Sequence, residues 1–281
     1  MKILVTGSRG FVGKETVKLL EKEGHEVIHF DLIDGYDIRD YFALESKIMI
    51  WRPDRILHLA AVARFAEADK DPKLAVETNV KGTENVAKVA NAYKIPVVYA
   101  STGSVYMPIS EEPPITEEFK TAGNSVYGCT KLMGEKYIEE SKGYYIILRY
   151  AHLYGKEKRY HGLIGGFISR IERGLAPTLF GGAQSNDFTY IKDVALANVL
   201  ALESPPDAWR QCYNIGSGEE LSARDAGQAV CDIAGYKGDV EVVAQRTVDA
   251  SRFVFDTTKA ENMIGFKAEY DFKKGLKDMF K

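Results

Sequence analysis

Tyr127 and Lys131 have the residue types and the spacing needed to move a proton, and Thr102 stands 25 residues before the tyrosine. Side chains four positions apart lie on one face of a helix, so the Lys131 ammonium can lie beside the Tyr127 phenol. A neighbouring cation favours the phenolate and lowers a pKa that is ordinarily about 10. We therefore predict that Tyr127 acts as a general base near neutral pH.

The Tyr-x-x-x-Lys spacing also occurs at Tyr154/Lys158 and at Tyr270/Lys274, so the spacing alone does not identify a site. Tyr154 follows a strand-like run and precedes a charged loop, and Tyr270 lies near the polar C-terminus. Only Tyr127 has a hydroxyl residue upstream at the end of a predicted strand. The context favours Tyr127 over the other two tyrosines.

Composition excludes several classes of protein. The 281 residues are 45% hydrophobic and 27% charged, with a net charge of -3, which is typical of a soluble globular protein. The charge gives no basic surface for nucleic acid or membrane, and the N-terminus enters a strand pattern without a signal segment, so we expect a cytoplasmic protein. The three cysteines lie far apart, and no metal site is predicted.

Short apolar, β-branched runs alternate with helical patterns through the first 155 residues. The predicted strands cover 3–6, 27–31, 55–59, 96–100 and 145–150, and the predicted helices cover 14–23, 79–92 and 127–141. Such alternation predicts a parallel sheet with helices on both faces, joined by right-handed crossovers. The fold class is therefore α/β, a Rossmann doubly wound sheet, followed by a smaller C-terminal lobe.

A loop with three evenly spaced glycines joins the first predicted strand to the first predicted helix: Gly7, Gly10 and Gly13. Glycines there allow a tight turn and the approach of a pyrophosphate to the helix N-terminus. Asp31 closes the second strand, where a carboxylate can accept hydrogen bonds from ribose hydroxyls and repel a 2′-phosphate, which favours NAD over NADP. Arg9 and Arg39 keep NADP open, because guanidinium groups can hold a 2′-phosphate.

The predicted domains follow from this loop and from the change of pattern after Gly155. Residues 1–155 are expected to form an NAD-binding Rossmann domain, to which 187–203 and about 212–217 return. Residues 156–281 are expected to form mainly a substrate-binding lobe.

With these residues in view, the chain resembles the extended short-chain dehydrogenase/reductase superfamily, in its NAD-dependent epimerase/dehydratase branch. The resemblance covers nearly the whole length. It is carried by the glycine loop at 6–13, the Asp-Ile-Arg segment at 37–40, the strand-end motif at 58–61, Asn79, the set Thr102, Tyr127 and Lys131, and the segment 148–155.

The resemblance implies both binding sites. Residues expected to bind the cofactor are Gly7, Arg9, Gly10, Phe11, Val12, Gly13, Asp31, Asp37, Ile38, Leu59, Ala60, Ala61, Asn79, Ser101, Tyr127, Lys131, Tyr150 and Ala151. Residues expected to bind the substrate are Thr102, Gly103, Ser104, Tyr127, His152, Asn186 and Arg252.

The mechanism that the resemblance implies is a transient oxidation. Tyr127 removes a proton from a sugar hydroxyl while the carbon passes a hydride to NAD, and Thr102 hydrogen-bonds the reacting oxygen. Lys131 holds the nicotinamide ribose and lowers the pKa of the tyrosine. In a 4-epimerase the keto intermediate turns over and takes the hydride back on its other face.

Departures from the family's motifs narrow the reaction. Sugar dehydratases of this branch place an acidic pair directly after the threonine, where this chain has Gly103 and Ser104, and no glutamate of the decarboxylase type stands nearby. His152 replaces a common asparagine and Asn186 a phosphate-binding arginine, whereas Arg252 matches a C-terminal arginine that can reach the diphosphate. The sequence therefore favours a nucleotide-sugar 4-epimerase acting on a UDP-hexose such as UDP-glucose or UDP-galactose.

Three alternatives stay open at this point. The short link between Asp31 and Asp37 and the small total length also resemble reductases of keto-deoxysugar nucleotides, which consume NADH or NADPH. A sugar or uronate dehydrogenase shares the same residues. A non-catalytic dinucleotide sensor would need the fold but not Tyr127 and Lys131. The resemblance further suggests a homodimer built from two helices per subunit.

Overall fold

A computed structural model describes residues 1–107, 112–156, 162–244 and 252–281. Its strands are β1 (Lys2–Thr6), β2 (Glu26–Phe30), β3 (Arg55–His58), β4 (Val97–Thr102), β5 (Tyr145–Tyr150), β6 (His152–Tyr154), β7 (Thr178–Phe180), β8 (Ser185–Tyr190), β9 (Gln211–Ile215), β10 (Glu220–Ser222), β11 (Glu241–Val243) and β12 (Arg252–Phe253).

The α-helices are α1 (Phe11–Lys22), α2 (Tyr41–Trp51), α3 (Phe65–Lys70), α4 (Pro72–Val76), α5 (Thr83–Tyr93), α6 (Val126–Glu140), α7 (Leu163–Glu172), α8 (Ile191–Glu203), α9 (Ala223–Ala234), α10 (Thr258–Ile264) and α11 (Phe272–Met279). Glu77–Gly82 is π-helical, and three short 3₁₀ turns cover Leu32–Asp34, Gly103–Tyr106 and Pro206–Ala208. None of these described helices is long and apolar enough to cross a membrane.

The larger sheet has six parallel strands in the order β2-β1-β3-β4-β5-β9. Successive side chains of a strand point to opposite faces, so both faces of a buried strand are apolar. Leu4 packs in the core shared with α2, α5 and α6, whereas Val5 packs in the core shared with α1 and α8. The predicted doubly wound parallel sheet is confirmed.

A second, smaller sheet contains β8, which pairs with β10 in antiparallel fashion and with β12 and β6 in parallel. Its aromatic core, which includes Tyr154, Phe167 and Phe272, is separate from the cores of the large sheet. β7 and β11 form a further two-stranded parallel sheet.

The location of β8 corrects one expectation. Residues 187–190 lie in the smaller sheet and do not return to the large one. The reason is that β9 pairs with β5 over five residues and occupies the sheet edge that β8 would need. α8, directly after β8, does pack against α1 on the large sheet, with Val194 and Ala197 in its core.

Candidate active site

The glycine loop between β1 and α1 has a geometry that other residues could not adopt. Gly7 has a φ of +68°, and a Cβ added there would lie 2.7 Å from the Ala60 nitrogen. A Cβ at Gly13 would lie 2.2 Å from the Gly7 carbonyl oxygen. Gly10 precedes α1 and has no side chain to cap the first helical N–H groups. The N-terminus of a helix without a side-chain cap can bind a phosphate group.

Ser8 supports the fit of a dinucleotide to this loop. Its hydroxyl is buried, and among the described residues it has no hydrogen-bond partner. A buried hydroxyl without a partner is costly unless a ligand or water satisfies it. The sequence motif did not identify Ser8, because Ser8 is at one of the two unspecified positions of the Gly-x-x-Gly pattern. Its burial depends on how the loop folds.

The carboxylate of Asp31 lies at the end of β2, facing the glycine loop. It accepts hydrogen bonds from the backbone N–H of Arg9 at 2.8 Å and of Ile33 at 2.9 Å, and it therefore fixes the glycine loop. The Arg9 guanidinium pairs with Asp34 at 3.1 Å. A guanidinium held by a carboxylate is less suited to a 2′-phosphate.

Asp37 and Arg39 border an open cavity of 480 Å³ beside the expected adenine position. Arg39 forms an ion pair with Asp37 at 2.6 Å and with Glu77 at 3.4 Å, and its hydrogen bonds lower the pKa of the Asp37 carboxyl. Ile38 is buried between them and packs against Gly82, where an added Cβ would lie 2.6 Å from its side chain. Arg39 and Arg9 are thus both paired with carboxylates. Guanidinium groups paired in this way are less suited to bind a 2′-phosphate, so these two arginines no longer favour NADP.

The ends of β1 and β3 are joined by a buried hydrogen-bond chain. The Thr6 hydroxyl accepts from the N–H groups of Leu59 and Ala60, both at 3.2 Å, so it donates its proton to His58 Nδ1 at 2.7 Å. His58 Nε2 then donates to the Thr83 hydroxyl at 2.9 Å. Burial first, and the nearby Lys131 second, lower the pKa of His58, so it remains neutral. Ala61 follows in the same turn, half-buried.

Asn79 lies in the π-helical turn that begins the predicted helix 79–92. Its side chain bonds both the N–H and the carbonyl of Val62, at 2.8 and 3.1 Å, and donates to the Thr130 hydroxyl at 3.0 Å. Thr130 in turn donates to the Tyr127 carbonyl at 2.9 Å. π-helical turns of this kind are frequent at functional sites. Asn79 is fully buried, so it supports the site by fixing the Val62 loop against α6.

The structure brings together the three residues predicted to move a proton. Tyr127 and Lys131 lie in the first two turns of α6, which begins where the Ser125 hydroxyl accepts from Gly128 N–H at 3.0 Å. Thr102 ends β4 and hydrogen-bonds Tyr127. Lys131 is only 2% exposed, and its Nζ lies 4.1 Å from the centre of the Tyr99 ring. Tyr127 stays partly exposed, with its ring edge-on to Phe65.

The expectation that Lys131 lowers the pKa of Tyr127 is not met in this structure. Burial raises the pKa of Tyr127 to about 12, and its hydrogen bond with Thr102 opposes this rise. The same burial lowers the pKa of Lys131 to about 7, against the opposing effect of the Glu135 carboxylate. Desolvation disfavours both charged forms, so it brings the pKa of Lys131 close to neutral pH.

The other two Tyr-x-x-x-Lys pairs have different surroundings. The Tyr154 hydroxyl is buried and donates to the Phe272 carbonyl at 3.2 Å, and Lys158 lies outside the described residues. Lys274 lies 4.5 Å from the centre of the Tyr270 ring and donates to the Glu269 carbonyl, near the surface.

Tyr150 is the last residue of β5, and Ala151 follows it at the same sheet edge. The Tyr150 hydroxyl is buried and donates to Asn198 of α8 at 2.5 Å, so this hydroxyl holds the helix. The N–H of Ala151 donates to the Ile215 carbonyl at 3.0 Å and continues the pairing with β9.

The residues after Thr102 form a tight turn without an acid. The Thr102 hydroxyl accepts from Ser104 N–H and donates to Ser104 Oγ, each at 3.2 Å. Gly103 lies against two aromatic rings: an added Cβ would be 2.3 Å from Phe253 and 2.9 Å from Phe255. The rings occupy the space that a larger residue at 103 would need.

The predicted substrate residues of the smaller lobe lie around β8 and β12. The exposed His152 ring lies 5.0 Å from Phe253 and 6.3 Å from Phe188, and Asn186 is half-buried on β8. Arg252 pairs with Glu220 through two hydrogen bonds of 2.7 and 2.8 Å and with Glu112 at 3.2 Å. An anion that binds Arg252 must therefore compete with two carboxylates.

Sequence reasoning missed the cavity beside these residues. It has a volume of 340 Å³ and is lined by Phe188, Ser217, Glu219, Glu220, Leu221 and Phe272. Its rim is shaped by Asp187, which is fully buried and accepts from Ser217 N–H and Oγ at 2.7 Å. Burial raises the pKa of Asp187. The sequence of residues 187–190 predicts a strand. It does not indicate that the Asp187 carboxylate would bind the loop at Ser217.

The fold and this site define a class: an α/β dinucleotide-binding protein with a threonine, a tyrosine and a lysine gathered at the end of a central strand. The model of the NAD dependent epimerase/dehydratase family matches residues 3–216. The chain belongs to that family, and the resemblance inferred from its motifs is confirmed.

Relatives extend over the whole chain. A Methanocaldococcus jannaschii protein, provisionally named a UDP-glucose 4-epimerase, is 32% identical over 98% of this chain and 96% of its own length. The crystal structure of the Thermotoga maritima UDP-glucose 4-epimerase with UDP-glucose has a TM-score of 0.93 at 28% identity, over 100% of this chain and 98% of that one. The Thermus thermophilus UDP-glucose 4-epimerase complex with NAD has a TM-score of 0.87 at 29% identity, over 100% and 99%.

Proposed function

We propose that this protein is an NAD-dependent nucleotide-sugar 4-epimerase whose substrate is a UDP-hexose such as UDP-glucose or UDP-galactose. The observation that carries the proposal is the placement of Thr102, Tyr127 and Lys131 at one edge of the sheet, with Gly103 packed against Phe253 where an eliminating enzyme would need an acid. Similarity to enzymes named UDP-glucose 4-epimerases, one solved with UDP-glucose and one with NAD, supports it.

The residues around the glycine loop fit NAD. The uncapped N-terminus of α1 and the Ser8 hydroxyl would hold the pyrophosphate, and Asp31 would accept from the adenosine ribose. The engagement of Arg9 and Arg39 by carboxylates favours NAD over NADP. When bound, NAD supplies acceptance and return of one hydride.

The chain's own residues would move the proton. Tyr127 takes the proton of the sugar C4 hydroxyl as the hydride leaves C4, and gives it back when the hydride returns to the opposite face. Thr102 hydrogen-bonds the same oxygen. Lys131 holds a ribose hydroxyl, and its protonated form favours the Tyr127 phenolate. No water is consumed or released, in keeping with the absence of an acidic residue at 103–104.

We also propose the finer features that follow from the family. Residues 1–155 bind the cofactor, and 156–281 mainly bind the substrate, with His152, Asn186 and Arg252 on the side of the sugar nucleotide. The protein is a cytoplasmic homodimer built from two helices per subunit. Light scattering at working concentration tests the dimer, and a mass of one subunit would refute it.

The test of the reaction uses a panel of UDP-, GDP- and dTDP-sugars with the purified protein. Exchange between C4 isomers without net NADH supports the epimerase. Net oxidation of NADH with a keto-sugar supports the reductase, net reduction of NAD supports a dehydrogenase, and cofactor binding without turnover supports a sensor.

A Tyr127→Phe variant tests the assigned base. We expect turnover to be lost while NAD affinity stays within about threefold, because the phenyl ring keeps the packing but cannot accept a proton. Tyr270→Phe is the matched control, since Tyr270 also stands four residues before a lysine but lies near the surface. Full activity of Tyr127→Phe would refute the assignment.

A further inference from the structure

The inner face of α6 carries a third polar residue beyond Tyr127 and Lys131. Glu135 follows Lys131 by four positions, so the three side chains lie in one row on the helix. Glu135 is 0% exposed and Lys131 is 2% exposed. A carboxylate at such a depth is stable only when it is paired and hydrogen-bonded.

The partners of Glu135 come from two strands of the large sheet. Arg149 of β5 donates two parallel hydrogen bonds to the carboxylate, at 3.0 and 2.7 Å, and Ser101 of β4 donates a third at 2.5 Å. Ser101 and Arg149 directly precede Thr102 and Tyr150, respectively. The carboxylate therefore ties α6, which carries Tyr127, to the strand end that carries Thr102.

The network continues away from the site. The remaining arm of Arg149 donates to the Tyr106 hydroxyl at 2.7 Å, and Tyr106 donates to Asn214 of β9 at 2.8 Å. The Asn214 backbone N–H donates to the Glu117 carboxylate at 2.7 Å. Each of these hydrogen bonds has good geometry, so the Arg149 guanidinium is fixed beside the Glu135 carboxylate.

The groups that act on Lys131 come from three elements. His58 of β3 and Tyr99 of β4 are neutral, because burial lowers the pKa of the histidine and raises that of the tyrosine. Tyr127 and Glu135 belong to the same helix as Lys131. Within the described residues, Glu135 is the carboxylate whose charge supports the ammonium of Lys131.

We propose that Glu135 is a positioning residue that keeps Lys131 protonated and holds α6 in register with the ends of β4 and β5. Glu135 is fully buried, so it acts through Lys131. The inference rests on the proposed function, because it concerns the charge that makes Tyr127 a base. Without the carboxylate, burial alone would govern Lys131, and Arg149 would remain as a buried cation without a partner.

The test compares Glu135→Gln with Glu139→Gln by pH–rate profile. Glu139 lies on the same helix, and its pair with Lys136 at 2.8 Å is at the surface. The profile reports the midpoint of the coupled Tyr127–Lys131 pair. We expect the alkaline limb of Glu135→Gln to move down by about one pH unit, with kcat above the midpoint about tenfold lower. Glu139→Gln should match the wild type.

A Glu135→Asp variant separates charge from shape. It keeps the carboxylate but on a side chain one methylene shorter, so its midpoint should fall between those of the wild type and of Glu135→Gln. If the glutamine variant does not fold, the aspartate variant decides. In a folded variant, a midpoint equal to that of the wild type would overturn the proposed effect of Glu135 on charge. This holds even if kcat is lowered.

A direct titration distinguishes failure of this inference from failure of the proposed function. The phenolate absorbance of Tyr127 is obtained as the difference between each protein and its Tyr127→Phe counterpart. In the wild-type protein more phenolate should form at a given pH than in Glu135→Gln, whether or not any sugar is turned over. Equal curves refute the inference, and missing turnover on every sugar refutes the epimerase alone.

Discussion

Replacement of Gly103 by alanine tests how tightly the turn after Thr102 is packed. The new Cβ would lie 2.3 Å from Cζ of Phe253, about 1.2 Å closer than an ordinary carbon–carbon contact of ~3.5 Å. Phe253 and Phe255 are each 2% exposed, and their ring centres are 5.0 Å apart, so the first ring has no space into which to retreat.

The expected cost follows from that overlap. Overpacking a well-filled core costs roughly 1–3 kcal/mol. Gly103 does not have a positive φ, so alanine is not strained there, and the loss of unfolded-chain freedom returns about 0.4–1 kcal/mol. The net destabilisation is about 1–2 kcal/mol, or roughly 2–6 °C in Tm. Activity should fall more than tenfold, because the turn carries Thr102.

The assay is thermal unfolding together with initial rates, in the wild type, Gly103→Ala, Phe253→Leu, the double variant and one control protein. Phe253→Leu should make room, so Gly103→Ala should cost less in that background, with a coupling of about 1 kcal/mol. Gly166→Ala is the control, since its added Cβ meets nothing within 4 Å on α7, and it should stabilise by roughly 0.5–1 kcal/mol. A wild-type Tm for Gly103→Ala, or equal costs in both backgrounds, would refute the packing argument.

Two further expectations concern the smaller lobe and its junction with the large sheet. Arg252→Ala should raise the KM for a UDP-sugar by roughly 10–100-fold at similar kcat, whereas Glu220→Gln should lower it by freeing the guanidinium; an unchanged KM for Arg252→Ala would remove this residue from the diphosphate site. Asp193 accepts from the N–H groups of Glu269 and Tyr270, and burial raises its pKa from 3.8 to about 6. Because the folded pKa lies above the unfolded one, the folded state binds the proton more tightly, and the stability attributable to Asp193 falls as pH rises from about 4 to about 6. The free energy of unfolding of the wild type minus that of Asp193→Asn, from urea titrations, should therefore decline across this window by at most about 3 kcal/mol, and parallel pH curves would contradict the assignment.

Local spacing was sufficient to predict the large sheet and the proton-transfer residues. β1, α1 and the glycine loop follow from an apolar run, three glycines and an amphipathic helix, all within 22 residues. Tyr127 and Lys131 lie on one helix, so their proximity follows from helical geometry alone. The position of Thr102 could be predicted from the rule that the carboxyl ends of parallel strands lie at the same edge of a sheet.

Features that depend on distant pairing were not predictable. The position of β8 depends on β9 occupying the edge of the large sheet, which no pattern in residues 185–190 encodes. The pairing of Arg252 with Glu112 joins residues 140 apart in sequence. The prediction that the pKa of Tyr127 falls takes account of the charge of Lys131. It leaves out the burial of the two side chains, which has the opposite effect. Glu135 could have been found, since it continues the four-residue spacing of Tyr127 and Lys131.

The central claim is that C4 of the sugar is transiently oxidised and then reduced by the same hydride. The most direct measurement uses UDP-galactose carrying deuterium at C4, the purified protein with NAD, and NMR of the UDP-glucose formed. We expect the deuterium to be retained at C4 of the product, with Tyr127→Phe inactive under the same conditions. Product in which solvent hydrogen has replaced the label, or no product from any UDP-hexose, would contradict the account.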